Sequence, residues 1–216
     1  MPASASDMRK ALILRFFKEL DRELKRPAEI ILTGAAAGSL LGVVRPSLDI
    51  DFEIRTQRAK KMENFSNIRD AIQKAAEKAG IAVNYSEDIG HWSMIDLLDY
   101  RKSALSYRKI GRLHLKVMEP SHWTIGKMGR FLEVDIRDMI RMVRRKKLKP
   151  EELIDLWARA LGSSPLSLNL GIFSRNVTYF IRHYGKRLWG KAFDADKMTA
   201  LFEKTAGINK KEKKIK

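Results

Sequence analysis

Residues 30–39, IILTGAAAGS, and residues 49–53, DIDFE, are the part of this chain that decides its fold. The first stretch is an apolar run that ends in small residues, a pattern that favours a short buried strand followed by a helix. The second stretch alternates acidic and apolar residues. On a strand, successive side chains point to opposite faces, so Asp49, Asp51 and Glu53 are expected to share one face.

Like charges on one strand face repel each other unless a cation lies among them. Carboxylate oxygens suit Mg²⁺, which commonly binds through one or two carboxylates together with substrate phosphates. We therefore predict that Asp49 and Asp51 are metal ligands. The alternative is a solvated face of an edge strand, but Ile50 and Phe52 form an apolar opposite face, which favours a central strand. Glu53 is open as a third ligand, although its place at the strand end favours a surface position.

Apolar periodicity and turn residues extend this pattern along the chain. Helices are predicted over residues 7–25, 35–43 and 60–79, and strands over residues 29–33, 48–54, 81–85, 92–98 and 113–118. A basic segment, residues 101–112, joins the last two strands. After Pro120 the predicted elements are all helical, over residues 121–129, 131–146, 150–161, 166–184 and 193–206. The pattern predicts an α+β fold with a helical C-terminal half.

The change of character near Pro120 favours two regions, a core over residues 1–120 and a helical region over residues 121–207 that packs on it. Residues 208–216 form a lysine-rich tail that is predicted to be disordered. No apolar run approaches the roughly 18 residues that a membrane span needs, and the N-terminus lacks the apolar core of a signal peptide. The sequence has no cysteine, which fits a reducing compartment. We expect a soluble, cytoplasmic protein with no membrane partner.

The chain carries 43 Lys and Arg against 26 Asp and Glu, a formal net charge of +17. Such an excess indicates a polyanionic partner, most often nucleic acid, and a merely very soluble basic surface is the alternative. Two clusters, over residues 100–112 and 179–189, interleave tyrosine with cations, as single-strand binders do. The densest basic run closes a predicted helix and is a candidate RNA contact: Arg141, Arg144, Arg145, Lys146 and Lys147.

The order of strand, small-residue turn, helix and acidic strand resembles the polymerase-β-like nucleotidyltransferase superfamily. Within it, the chain is similar to the nucleotidyltransferases of abortive-infection and toxin–antitoxin systems. The resemblance covers roughly residues 25–145. It is carried by three motifs in the family's order: RPSLDID at residues 45–51, MIDL at residues 94–97, and the helical set Lys127, Arg130, Asp135 and Asp138.

This resemblance implies a mixed β-sheet core with flanking helices, and a site for a nucleoside triphosphate and two Mg²⁺ ions. Asp49, Asp51 and Asp96 would hold the metal. Lys127 would offset the charge that develops on the phosphates. Asp96 could instead be a base for an acceptor hydroxyl, or a plain acid near a loop. The residues implied at the nucleotide are Gly34, Ala35, Gly38, Ser39, Arg45, Ser47 and Lys127.

The helical motif also has a structural interpretation, because ion pairs on a helix surface are common and contribute little to stability. We predict that Lys127 and Asp135 act at the site, and a contact in which Asp135 orients the lysine is one possibility. Arg130 and Asp138 are predicted to form structural pairs, and a pair between these two residues is one possibility.

The implied reaction moves a nucleoside monophosphate from the triphosphate to an acceptor hydroxyl and releases pyrophosphate. The charge and the toxin resemblance favour a tRNA or another RNA as acceptor, although a protein hydroxyl or a small molecule fits the same chemistry. A toxin would also imply an antitoxin protein as partner. The family has Gly or Ser at the second turn position, where this chain has Ala35, unless Gly38 and Ser39 supply the pair. The alternative is a catalytically inactive, basic nucleic-acid-binding protein on the same fold.

Overall fold

The structure, a computed structural model, describes residues 5–43, 49–56 and 63–207. Within these residues the chain forms two compact units. The first comprises the residues up to Ile89 together with Arg101–Glu119, and the second comprises Gly90–Tyr100 and the residues from Pro120 onward. The first unit contains a mixed sheet with flanking helices and the second is helical. The predicted α+β class with helices in the C-terminal half is therefore confirmed.

The described part of the first unit is built on a five-stranded sheet in the order β3-β2-β1-β5-β4. Its strands are β1 Ala28–Leu32, β2 Asp49–Thr56, β3 Ala82–Ser86, β4 Leu105–Ile110 and β5 Leu113–Val117. Strand β1 is antiparallel to β2 and parallel to β5, β2 is parallel to β3, and β4 is antiparallel to β5. The central position of β1 follows from its sequence, because Ile30, Ile31 and Leu32 are buried on both faces.

Helix α1 fixes which face of β2 is turned towards the core. Phe16 and Phe17 of α1 are fully buried, and both rings lie 5.7 Å from the ring of Phe52 on β2. Because strand side chains alternate, this packing leaves Asp49 and Asp51 on the other face of β2. The helices that begin or lie in this unit are α1 Ala5–Leu24, α2 Gly34–Leu40, α3 Glu63–Ala79 and α4 Tyr100–Ser103.

The second unit packs its helices around a large aromatic side chain. Trp157 is fully buried, its ring N–H donates to Thr124 Oγ1 at 2.8 Å, and its ring meets Phe180 edge-on at 5.7 Å. Its main helices are α5 Pro120–Arg130, α6 Glu133–Lys146, α7 Pro150–Ser163, α8 Leu168–Trp189 and α9 Ala195–Ala206. No helix of the described residues is both long and apolar enough to cross a bilayer.

The break between α5 and α6 lies two residues later than predicted. Gly129 stays inside α5, and the chain turns at Phe131, which has a φ of 54°, and Leu132. A glycine is tolerated within a helix at a modest cost, so its presence alone does not end one. As a result, Lys127 and Asp135 lie on two different helices.

The prediction of a strand over residues 92–98 is wrong. A 3₁₀ turn covers Ile89–Trp92, and bends and turns follow it up to α4. Met94 is 68% exposed. Ile95 and Leu97 are buried, so two apolar residues of this segment reach a core without forming a strand.

Strand β4, in contrast, lies in the basic segment where the sequence predicts no strand. It is an edge strand whose residues are almost all exposed, so it lacks the apolar alternation by which strands are recognised. The turn that joins it to β5 contains Gly111, with a φ of 55°. A Cβ atom there would overlap the carboxylate of Asp21 on α1, which accepts a hydrogen bond from the backbone N–H of Arg112 at 2.8 Å.

Candidate active site

Asp49 and Asp51 converge as the sequence predicts, and a side chain of the neighbouring strand joins them. Asp51 is the register partner of Asn84 on β3. The Asn84 amide nitrogen donates to Asp49 Oδ2 at 3.2 Å and to Asp51 Oδ1 at 2.9 Å. Because both bonds share one nitrogen, these two carboxylate oxygens lie within about 6 Å of each other. Both aspartates are partly exposed, so a ligand can reach them.

The turn after β1 lies directly against one of these carboxylates. The backbone N–H of Thr33 donates to the backbone oxygen of Asp51 at 2.9 Å. Gly34, the first residue of α2, has a φ of 61°, and a Cβ atom there would overlap the Asp51 carboxylate. This position needs glycine for two reasons, the left-handed backbone and the lack of space.

The remaining predicted turn residues differ in how accessible they are. Ala35 is partly exposed, whereas Gly38 and Ser39 lie in the buried part of α2. Ser39 is 1% exposed, and its hydroxyl has no hydrogen-bond partner among the described residues. Gly34 therefore lies beside Asp51 and is partly exposed like Ala35, whereas the Gly38–Ser39 pair is buried. Arg45 and Ser47 lie outside the described residues.

Glu53 is not at the surface, and the prediction that it would be is wrong. Its side chain is fully buried. Arg101 of α4 binds it through two nitrogens, with Nε 2.7 Å from Oε1 and Nη2 3.2 Å from Oε2. The backbone N–H of Ile89 adds a third bond at 3.2 Å. This ion pair, of which only Glu53 is fully buried, holds the start of α4 against β2.

Asp96 belongs to the second unit and lies in a turn, not on a strand. Its Oδ1 accepts from the backbone N–H of Leu98 at 2.7 Å, and its own backbone N–H donates to Ser164 Oγ at 2.8 Å. These contacts match the interpretation of Asp96 as an acid that stabilises a loop. Its role as a metal ligand or base stays a prediction.

Lys127 lies in a buried cluster with two carboxylates of α6. Its ammonium nitrogen is 2.6 Å from Asp135 Oδ1 and 3.3 Å from Asp138 Oδ2. The lysine is 4% exposed and each aspartate 1%. Arg130 pairs with Asp135, through Nη2 to Oδ1 at 3.0 Å, and not with Asp138. Two cations thus face two anions, so the cluster is balanced in charge.

Burial raises the pKa of Asp135, but hydrogen bonds from Lys127 and Arg130 outweigh burial and bring the pKa below its ordinary value. The predicted contact in which Asp135 orients Lys127 is present. The same contact also occupies the lysine within the second unit. Whether Lys127 and Asp135 act in catalysis stays a prediction.

The side chains of Asp49 and Asp51 on β2 and of Asn84 on β3 are of the types that bind Mg²⁺, because carboxylate and amide oxygens are hard ligands. Among the described residues, no group of three or more His, Asp or Glu side chains is placed to hold a metal ion. Asn84 was missed by sequence reasoning, and its only signal was a polar residue in the middle of a predicted strand. Its amide could offer oxygen or nitrogen to a ligand, since the two differ by a half-turn of the group.

The five residues of the predicted basic run lie at the C-terminal end of α6, in the second unit, and all but the partly exposed Lys146 are exposed.

No protein-family model matches this chain, and neither a curated protein nor a solved structure matches it.

Proposed function

We propose that this chain is a nucleotidyltransferase that moves a nucleoside monophosphate from a nucleoside triphosphate to an acceptor hydroxyl. The single observation that carries the proposal is the convergence of Asp49 and Asp51 on one amide, with the backbone of Gly34 against Asp51. The missing side chain at Gly34 gives the Asp51 carboxylate its space, and a metal ion on the two carboxylates would bind a phosphate. The sequence resemblance supports the same reaction.

In the proposed reaction, the acceptor oxygen forms a bond to the α-phosphorus and the bond from that phosphorus to the β-phosphate oxygen breaks. Pyrophosphate leaves, and the acceptor proton passes to solvent. A divalent cation held by Asp49 and Asp51 would neutralise charge on the phosphates. Asn84 would hold the two carboxylates at a fixed separation, and Gly34 would let the Asp51 carboxylate lie against the backbone. An acceptor that is itself a nucleic acid fits the net charge of +17.

A second candidate function is nucleic-acid binding without catalysis. One observation favours it: the Asn84 amide donates a hydrogen bond to each carboxylate, a contact that links β2 and β3. Ala35, where the resembling family has Gly or Ser, points the same way. In this case Asp49 and Asp51 would be structural residues.

Incorporation of each α-³²P-labelled nucleoside triphosphate into bulk tRNA, in the presence of Mg²⁺, separates the two functions. Asp49→Asn and Asp51→Asn keep the size of the side chain and remove the charge. We expect either change to lower incorporation at least about 100-fold, because the metal loses a ligand. The matched control is Asp70→Asn, an exposed acid on α3 of the same unit, which should label tRNA as the wild type does. Equal labelling by all three variants would contradict the proposal.

A further inference from the structure

The C-terminal ends of α6 and α8 are held side by side. The ring N–H of Trp189, the last residue of α8, donates to the backbone oxygen of Leu148 at 2.9 Å. Arg144 of α6 donates through Nη2 to the backbone oxygen of Arg187 at 3.3 Å. Basic residues that are far apart in the sequence therefore meet on one surface of the second unit.

We name this the α6–α8 basic surface. Its cations are all exposed: Arg141, Arg144, Arg145, Lys147, Lys186 and Arg187. On α6, the first three are spaced three and four residues apart and so share one face of the helix. Lys147 follows in the left-handed conformation that ends α6, with a φ of 51°.

The charge of this surface is not compensated by acidic side chains. Among the residues that the structure describes, none of its six cations lies within 4.0 Å of a carboxylate, whereas the cations on either side do. Arg137 is 3.3 Å from Glu133, and Lys149 is 2.9 Å from Glu152. Six exposed cations without a carboxylate partner among the described residues, concentrated at two adjacent helix ends, indicate an anionic ligand.

Helix dipoles alone do not account for this excess. Basic residues near a helix C-terminus offset a partial charge of roughly −0.5 per helix, so two helix ends call for about one positive charge. The surface carries six. Most of its charge is therefore available to an external partner.

We propose that the α6–α8 basic surface binds the sugar–phosphate backbone of a nucleic acid. Four of its six cations are arginines, whose planar guanidinium groups bind phosphate oxygens in pairs. A membrane surface fits less well, because interfacial sites insert large apolar side chains. The exposed large apolar residues of the described chain include none between Arg141 and Lys147 or between Lys186 and Lys191. Phosphate contacts carry no sequence information, so RNA and DNA should bind alike.

This inference rests on the proposed function in one respect only: the α6–α8 basic surface would be where the nucleic-acid acceptor of that reaction docks. The test therefore measures binding without nucleotide or divalent cation, by fluorescence anisotropy of a short RNA hairpin and of the DNA hairpin of the same sequence. We compare the wild type with a triple variant, Arg141→Gln with Arg145→Gln and Lys147→Gln, which spares the Arg144 contact. The matched control is Arg22→Gln with Lys78→Gln and Arg159→Gln, three exposed cations that each have a carboxylate partner.

We expect the basic-surface variant to bind both hairpins at least about tenfold more weakly at about 100 mM salt, with a salt slope lower by about three. The control variant, with the same loss of charge, should stay within about twofold of the wild type. Equal losses in both triple variants, unchanged binding by the basic-surface variant, or tighter binding to anionic vesicles than to either hairpin would overturn the inference.

The failures of the two proposals can be told apart with Asp51→Asn, which should bind the hairpins as the wild type does. If the wild type binds the hairpins but labels no RNA, the proposed function fails and the basic surface stands. If labelling depends on Asp51 but hairpin binding does not depend on the basic surface, the proposed function stands and the inference about the basic surface fails.

Discussion

At the scale of single residues, Gly34 links the backbone to the chemistry of the candidate site. We predict that Gly34→Ala lowers the free energy of unfolding by about 2–4 kcal/mol, because the new Cβ atom adds overlap with the Asp51 carboxylate to the cost of a left-handed backbone. Urea denaturation measures the stability. Labelled nucleotide incorporation should fall in the same variant, since Asp51 must move.

Gly80 gives a matched control for this change. Its φ is 67°, and a Cβ atom there would meet nothing within 4 Å. Gly80→Ala should therefore cost only the left-handed backbone penalty, about 1 kcal/mol. Equal losses of stability at the two glycines would mean that overlap between the new Cβ atom and the Asp51 carboxylate costs no free energy of unfolding.

The pairing of α5 with α6 depends on a buried lysine. We predict that Lys127→Met lowers the free energy of unfolding by about 3–5 kcal/mol, since it leaves the Asp138 carboxylate buried without a cation and removes one of the cations of Asp135. Arg130→Met is the control, because Arg130 is 62% exposed and should contribute under about 1 kcal/mol. If Lys127→Met is as stable as the wild type but fails to label RNA, the lysine acts in catalysis and not in folding.

The same pair of helices should be sensitive to acid. The folded state lowers the pKa of Asp135 below its ordinary value, so the ionised carboxylate stabilises the fold at any pH above that ordinary value, about 4. This contribution is lost as the pH falls from there through the folded-state pKa. Urea denaturation between about pH 6 and pH 3 should show the loss. In Asp135→Asn the decline should be smaller, and an equal decline would assign the acid sensitivity to other carboxylates.

Sequence patterns predicted the strands that carry alternating or continuous apolar residues and missed the one that lacks them. Strands β1, β2 and β5 could be predicted because their apolar residues face a core. Strand β4 could not, because it is an edge strand with exposed residues on both faces. In the segment around Met94, Ile95 and Leu97 are buried although Met94 is exposed, and its apolar residues suggested a strand that does not form. Burial of apolar residues by itself therefore does not identify a strand, because Ile95 and Leu97 are buried without one.

At the scale of the whole molecule, one part of the candidate site follows from local sequence and another part depends on contacts between distant residues. That Asp49 and Asp51 share a face follows from alternation within one strand, so it could be predicted. The bridge from Asn84 depends on the register between β2 and β3, and the burial of Glu53 depends on Arg101, which lies 48 residues further along the chain. A single sequence holds no local signal for such pairings. The convergence of α6 and α8 is of this long-range kind as well.

The net charge of +17 makes ionic strength a test of which electrostatic effect dominates the folded protein. Raising the salt from about 10 mM to about 100 mM shortens the screening length from about 30 Å to about 10 Å. This weakens exposed ion pairs, which contribute at most about 1 kcal/mol each, and it also weakens the repulsion among the surplus cations. We predict that repulsion dominates, so the midpoint of thermal unfolding should rise by a few degrees in NaCl at pH 7. The basic-surface variant, with three fewer positive charges, should show a smaller rise. A midpoint that falls with salt would mean that the ion pairs outweigh the surplus.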